Sequence, residues 1–118
     1  MKKVAIIVHA GEAERGRALH ALLYLQELHE AGVDVKLYFD GAGTVWVKTF
    51  ENPANDFHSI YQATKNLGVI AGICEHCAHS FGVQDEVQES GLPLLSGAQD
   101  DHLSVASLVK DEYQIIAL

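Results

Sequence analysis

A chain of 118 residues, 48% hydrophobic and 20% charged, is long enough for one soluble domain with a real core and short for two. Its formal net charge is −8, and its eight Lys and Arg are scattered rather than clustered. A nucleic-acid backbone is held by clustered cations, so nucleic acid is excluded as a direct ligand.

Residues 3–8 are a continuous β-branched and apolar run, the pattern of a strand covered on both faces. His9-Ala10-Gly11 ends it. The apolar part, Val4 to Val8, is too short to cross a bilayer or to form a signal peptide's apolar region, despite Lys2 and Lys3 before it. A cytoplasmic location without a membrane partner is therefore expected. From Glu12 to Ala31 the pattern is helical: Ala18, Leu22, Leu25 and Leu28 recur at spacings of three and four, with Ala21 beside them. Glu12 and Glu14 sit in its first turn, and Gly32 offers a stop. Val33, Val35, Leu37 and Phe39 alternate with Asp34, Lys36 and Tyr38 in a second strand.

Asp40-Gly41-Ala42-Gly43-Thr44 reads as a loop; Val45 to Phe50 is β-branched enough for a strand, but the bracketing loops leave little room for sheet pairing and favour a short helix begun by Thr44. After the Asn52-Pro53 break, Asp56 is the expected N-cap of a helix. Phe57, Ile60, Tyr61, Thr64 and Leu67 share one face of that helix, and Gly68 ends it. Residues 69–73 are a central strand. A helix from Glu75 to Glu89, bent or broken at Gly82, follows and stops at Gly91. Leu92 to Ser96 is a short strand with Pro93 near its start. Asp100 or Asp101 caps a last helix carrying Leu103, Ala106 and Val109, and Tyr113 to Leu118 is the final strand.

This alternation specifies an α/β fold: a single three-layer, doubly wound domain over residues 1–118, with a mainly parallel sheet of about five strands. Ligands of such sheets bind at the carboxyl ends of the strands. His9 and Gly11, Asp40 to Thr44, Cys74 to Cys77, and Ser96-Gly97 all fall at those ends.

Chemistry is densest at Cys74-Glu75-His76-Cys77-Ala78-His79. In a reducing cytoplasm, two cysteines separated by two residues are reactive or metal-binding rather than a structural disulfide. A thiol at a strand end beside a helix N-terminus gains thiolate stabilisation from the dipole. Cys74 is therefore expected to be a nucleophile of lowered pKa, with Glu75 opposing the effect. Cys77, one turn on, lies within disulfide reach. His76 is a candidate base near neutral pH.

Cys74, His76, Cys77 and His79, with His9, also make a metal-ligand set, although their spacing is unlike the separated pairs of a structural zinc site. His9-Ala10-Gly11 can present an imidazole and backbone amides to an anion. Asp40 and Gly41 open a glycine-rich loop without the spacing of a phosphate-binding motif. The single Trp46 is read as core. The surroundings of the cysteine pair are not those of thioredoxin.

The segment Gly72-Ile73-Cys74-Glu75-His76-Cys77-Ala78-His79-Ser80-Phe81-Gly82-Val83, with Phe39-Asp40-Gly41 after the second strand, resembles the DsrE/DsrF-like (YchN-like) family. The resemblance runs over nearly the whole chain and is specific in the cysteine segment. In that family a cysteine after the central strand lies eight residues before the glycine of an Arg-Gly-Val-like stretch. Cys74 stands at that distance from Gly82, so it matches the persulfide-carrying residue of the sulfur-relay members. Cys77 matches a second cysteine of the YchN-like branch. Ser80-Phe81 departs from the basic residues that often precede the glycine. The resemblance implies a flavodoxin-like fold assembled into dimers, trimers or hexamers. For some members it implies sulfur transfer between partner proteins through a cysteine persulfide.

The expected function is that of a sulfur carrier or sulfurtransferase with a persulfide on Cys74, assisted by Cys77 and His76. His9, Gly11, Asp40 and Gly41 are the expected ligand contacts, sulfur donor and acceptor proteins the expected partners, and no cofactor or resident metal is expected. Two readings stay open beside it: a non-catalytic oligomeric module that binds a small ligand or metal, and a thiol redox sensor.

Overall fold

The computed structural model describes residues 2–95 and 103–118. Five strands form one all-parallel sheet in the order β4-β3-β2-β1-β5. They are β1 (Lys3–Val8), β2 (Asp34–Phe39), β3 (Ile70–Cys74), β4 (Leu94–Leu95) and β5 (Gln114–Ala117). Successive strands are added in one direction as far as β4, and the chain then returns past β1 to add β5. That order differs from the 2-1-3-4-5 of flavodoxin itself, while the parallel sheet and helical layers are as expected.

Among the described residues six α-helices accompany the sheet: α1 (Arg15–Glu30), α2 (Val45–Glu51), α3 (His58–Asn66), α4 (Glu75–Ser80), α5 (Gln84–Ser90) and α6 (Val105–Lys110). Side chains alternate across a strand, so each strand feeds both faces of the sheet. Val4, Ile6, Val8, Leu37 and Phe39 enter the larger core. There they meet Leu22 and Leu25 of α1, Val47 and Phe50 of α2, Tyr61 of α3, Ala78 of α4 and Val87 of α5. Ala5, Ile7 and Tyr38 point the other way, beneath Leu108 of α6 and Tyr113. Five helices thus contribute to one face and one helix to the other.

Several local expectations change. The stretch from Glu12 begins as a 3-10 turn, Glu12–Glu14, before α1 starts. Asp56 does not cap α3. The side-chain oxygen of Asn55 accepts the Phe57 N–H at 2.9 Å, and that of Asn52 accepts the Ala54 N–H at 3.0 Å. These two Asx turns satisfy the local amides, and Asp56 is left exposed, 3.8 Å from Arg15. The cap of α6 is Ser104, whose oxygen accepts the Ser107 N–H at 3.2 Å. From that start Leu108 faces the sheet, while Val105 and Val109 are exposed. Asp100, Asp101 and the Ser96-Gly97 strand end lie outside the described residues. The helix after the central strand does break at Gly82, whose φ of 72° separates α4 from α5.

Candidate functional site at the carboxyl edge of the sheet

Strand register builds the site. Val8 pairs with Phe39 and Phe39 with Ile73, so the next residue of each strand falls in one row: His9, Asp40 and Cys74. Leu95 of β4 lies beside Cys74 at the end of that row.

The turn after β2 fixes Asp40 through its backbone. The Asp40 N–H donates to the Val8 carbonyl at 3.0 Å, and the Asp40 carbonyl accepts the Gly43 N–H at 2.9 Å. The buried hydroxyl of Thr44 closes the turn on the Gly41 carbonyl at 2.9 Å. Gly43 backs directly onto the end of β1, where a Cβ would collide with the Val8 carbonyl oxygen. Trp46 is core, as expected, and its Nε1 also donates to the Ala10 carbonyl at 2.6 Å. That bond pins the chain as it leaves β1.

Cys74 ends β3 and caps α4, its Sγ accepting the Cys77 N–H at 3.2 Å. Cys77 Sγ lies 2.7 Å from Cys74 Sγ, beyond the roughly 2.05 Å of a disulfide, so both are in the thiol form. Cys77 Sγ also points at Asp40 Oδ1, 3.7 Å away. The other carboxylate oxygen, Oδ2, lies 3.0 Å from His9 Nε2. Four side chains therefore form a continuous relay from the half-exposed His9 through Asp40 and Cys77 to the buried Cys74.

Cys74 has 0% exposure. Burial pushes its thiol up from 9.0 to about 12, and the hydrogen bond to Cys77 adds to the rise. The Cys77 amide acts in the opposite direction and is outweighed. The sequence expectation of a lowered pKa is thus reversed. A six-residue helix supplies little dipole, and removing water from a thiolate costs more than one amide returns.

His76 is exposed on α4. His79 Nδ1 meets Gln84 Oε1 at 3.2 Å, and the Gln84 amide donates to Glu75 Oε1 at 3.3 Å, which ties α4 to α5. The backbone N–H groups of His9 and Ala10 both donate to the Leu118 carbonyl, at 3.3 and 3.0 Å. These two amides are therefore not presented to an anion as expected, while the His9 ring reaches Asp40. Gly41, with φ of 55°, passes beside that ring. Gly11 lines a cleft of about 350 Å³ with Glu12, Ala42, Val45 and Phe81. Phe81, 49% exposed, shares with Glu12 and Val45 the wall of a neighbouring hollow of about 500 Å³.

A thiophilic ion would find donors in Asp40, Cys74 and Cys77, whose ligand atoms lie within 4.8 Å of one another. This grouping differs from the expected one, with Asp40 in place of His9, His76 and His79. Two thiolates on one zinc stand about 3.8 Å apart, so sulfurs at 2.7 Å must part before sharing an ion. As placed, the pair is a dithiol. The contact that sequence reasoning missed is Asp40 with Cys77. Its signal was the tendency of consecutive strands to pair, which sets the residue after β2 beside the end of β3.

A family model described as the DsrE/DsrF-like family matches residues 2–118. An uncharacterized protein of Methanocaldococcus jannaschii is 28% identical, over 98% of this chain and 95% of its own. Among solved structures, a conserved protein of unknown function from Bacteroides thetaiotaomicron superposes with a TM-score of 0.69 at 15% identity. It covers 99% of this chain and 95% of its own, a likeness of fold. Among the described residues no helix is long and apolar enough to cross a membrane.

Proposed function

The chain belongs to the DsrE/DsrF-like family, and from that premise we propose that it carries sulfane sulfur as a persulfide on Cys74, with Cys77 assisting. One observation carries this reading: two thiols, not joined as a disulfide, 2.7 Å apart at the carboxyl edge of a parallel sheet, the inner one receiving a backbone N–H.

Loading is an exchange at sulfur. The Cys74 sulfur attacks the outer sulfur of a donor persulfide, the donor's S–S bond breaks, and the donor leaves as a thiol carrying the Cys74 proton. No net oxidation occurs. His76, an exposed residue of α4 next to Cys77 in the sequence, serves as the proton carrier. His9, Gly11, Asp40 and Gly41 border the approach. The burial of Cys74 favours a small donor, such as a low-molecular-weight persulfide. Protein donors and acceptors and a homo-oligomeric assembly belong to the same reading, and a protein donor meets Cys77 first because it is the more exposed thiol.

The test uses Cys77→Ser, which leaves one thiol. After incubation with glutathione persulfide, intact mass should rise by about 32 Da, one sulfur atom, and fragmentation should place it on Cys74. An unmodified Cys77→Ser protein, beside a Cys74→Ser protein that does take sulfur on Cys77, would overturn the assignment.

A further inference from the structure

A bound sulfane sulfur leaves a persulfide by one of two routes. An acceptor attacking the outer sulfur takes it away as sulfane sulfur, whereas a thiol attacking the inner sulfur expels it as hydrosulfide. Once Cys74 is persulfidated, Cys74 Sγ is the inner sulfur. Cys77 Sγ stands 2.7 Å from that atom. Its own proton has an acceptor at hand in Asp40 Oδ1, 3.7 Å away.

The Asp40 carboxylate is free for that task because its backbone closes the turn. The amide and carbonyl of Asp40 make the hydrogen bonds to Val8 and Gly43, and the carboxylate does not cap the turn that follows. Instead Oδ2 is held by His9 Nε2 at 3.0 Å, which leaves Oδ1 aimed at Cys77. The order imidazole, carboxylate, thiol, second thiol is thus set by the ends of three adjacent strands and one helical turn.

We infer that the His9–Asp40–Cys77 relay gives the chain a persulfide-reducing activity, releasing the sulfur on Cys74 as hydrosulfide and closing a Cys74–Cys77 disulfide. This inference rests on sulfur loading at Cys74. In the step, Asp40 takes the Cys77 proton and the Cys77 sulfur bonds to Cys74 Sγ. The bond from Cys74 Sγ to the outer sulfur breaks, and its electron pair leaves with hydrosulfide, which collects the proton from Asp40. The outer sulfur is reduced and the two cysteines are oxidised together. A low-molecular-weight thiol or dithiol reductant returns the pair to the reduced form. Asp40 is the catalytic base, and His9 is a positioning residue.

The experiment loads reduced, desalted protein with glutathione persulfide and follows sulfide release and intact mass together. Wild type should release about one sulfide per chain and end about 2 Da lighter than the reduced protein, as a disulfide. Cys77→Ser should keep the added sulfur and release none. Asp40→Asn, compared at equal sulfur loading by intact mass, should release sulfide more slowly, by about 10²-fold, the lower end of what a positioned base contributes. His9→Ala should slow release, and His9→Gln, which keeps an N–H for the carboxylate, should restore most of it. A merely structural His9 would not separate those two variants.

A wild type that holds its added sulfur without releasing sulfide overturns the inference while the carrier reading stands. So does Asp40→Asn releasing at the wild-type rate. If neither wild type nor Cys77→Ser takes up sulfur, the carrier reading itself fails at the loading step.

Discussion

At Cys74 two effects oppose each other. The Cys77 amide, 3.2 Å from Sγ, favours a thiolate, and the loss of water around a side chain with no exposed surface disfavours it. Desolvation wins, and the thiol stands at about 12. A thiol held there is about 10⁻⁴ ionised near pH 8, against roughly a tenth for one at 9.0. Since alkylation needs the thiolate, iodoacetamide should modify Cys74 in native Cys77→Ser at least tenfold more slowly than in the same protein unfolded in urea. Equal rates would show that burial does not restrain this sulfur. The same restraint gives the site selectivity. A buried, protonated thiol is protected from stray electrophiles, while Cys77, already against it, needs no approach from solvent.

At the scale of elements, the short turn Gly41–Thr44 decides whether the relay exists, because it sets where Asp40 points. Gly43 is its tightest residue, packed against the last carbonyl of β1. Backbone cannot yield as a flexible side chain does, so Gly43→Ala should cost about 1–3 kcal/mol in urea unfolding, the usual range for overpacking. It should also slow sulfide release by displacing the carboxylate. Gly16→Ala is the control, since its Cβ would meet nothing within 4 Å. Wild-type stability in Gly43→Ala would remove this explanation of the turn. Much of this level was legible in the chain. A continuous apolar run gave β1, periodicity of two gave β2 and periodicity of nearly four gave α1, and the glycines at 32, 68, 82 and 91 mark the stops, all with positive φ. Asp56 was misread because Phe57 takes the N-cap position of α3 and the segment before it is turned by Asn52 and Asn55, and Val109 because one residue of helical phase exchanges core for solvent. The row His9–Asp40–Cys74 could be read only as a shared edge. Which side chains touch depends on register as well as strand order, and the pairing of consecutive strands suggests the order of β2 and β3 but not their register. The direction of the Cys74 shift was misjudged for a related reason: spacing reveals a helix end, but not how much water remains there.

At the scale of the whole molecule, the unequal helical layers place four titratable groups in settings that hold their protons. Burial raises Cys74 and Tyr38. Burial also raises Tyr61, reinforced by its 2.6 Å hydrogen bond to Glu51. Lys36, on the α6 side, is raised chiefly by its interaction with Tyr113. All four shifts have the same sign, so they act together. Below about pH 9 folded and unfolded chains hold these protons equally, and the full stability is present. Above it the unfolded chain sheds protons first from Cys74 and then from the tyrosines and Lys36, while the folded chain keeps them. Protonation then favours the native state less and less, and stability falls with a slope of up to about 1.4 kcal/mol per pH unit for each proton retained. Urea unfolding followed by Trp46 fluorescence between about pH 7 and pH 11 should show a plateau and then a decline beginning near pH 9. Cys74→Ala removes the group that titrates first, so its decline should start about one pH unit later, where the tyrosines begin. A flat profile across that range, or an onset unchanged in Cys74→Ala, would mean that the thiol reaches water in the native state, and the protected sulfur site would have to be given up with it.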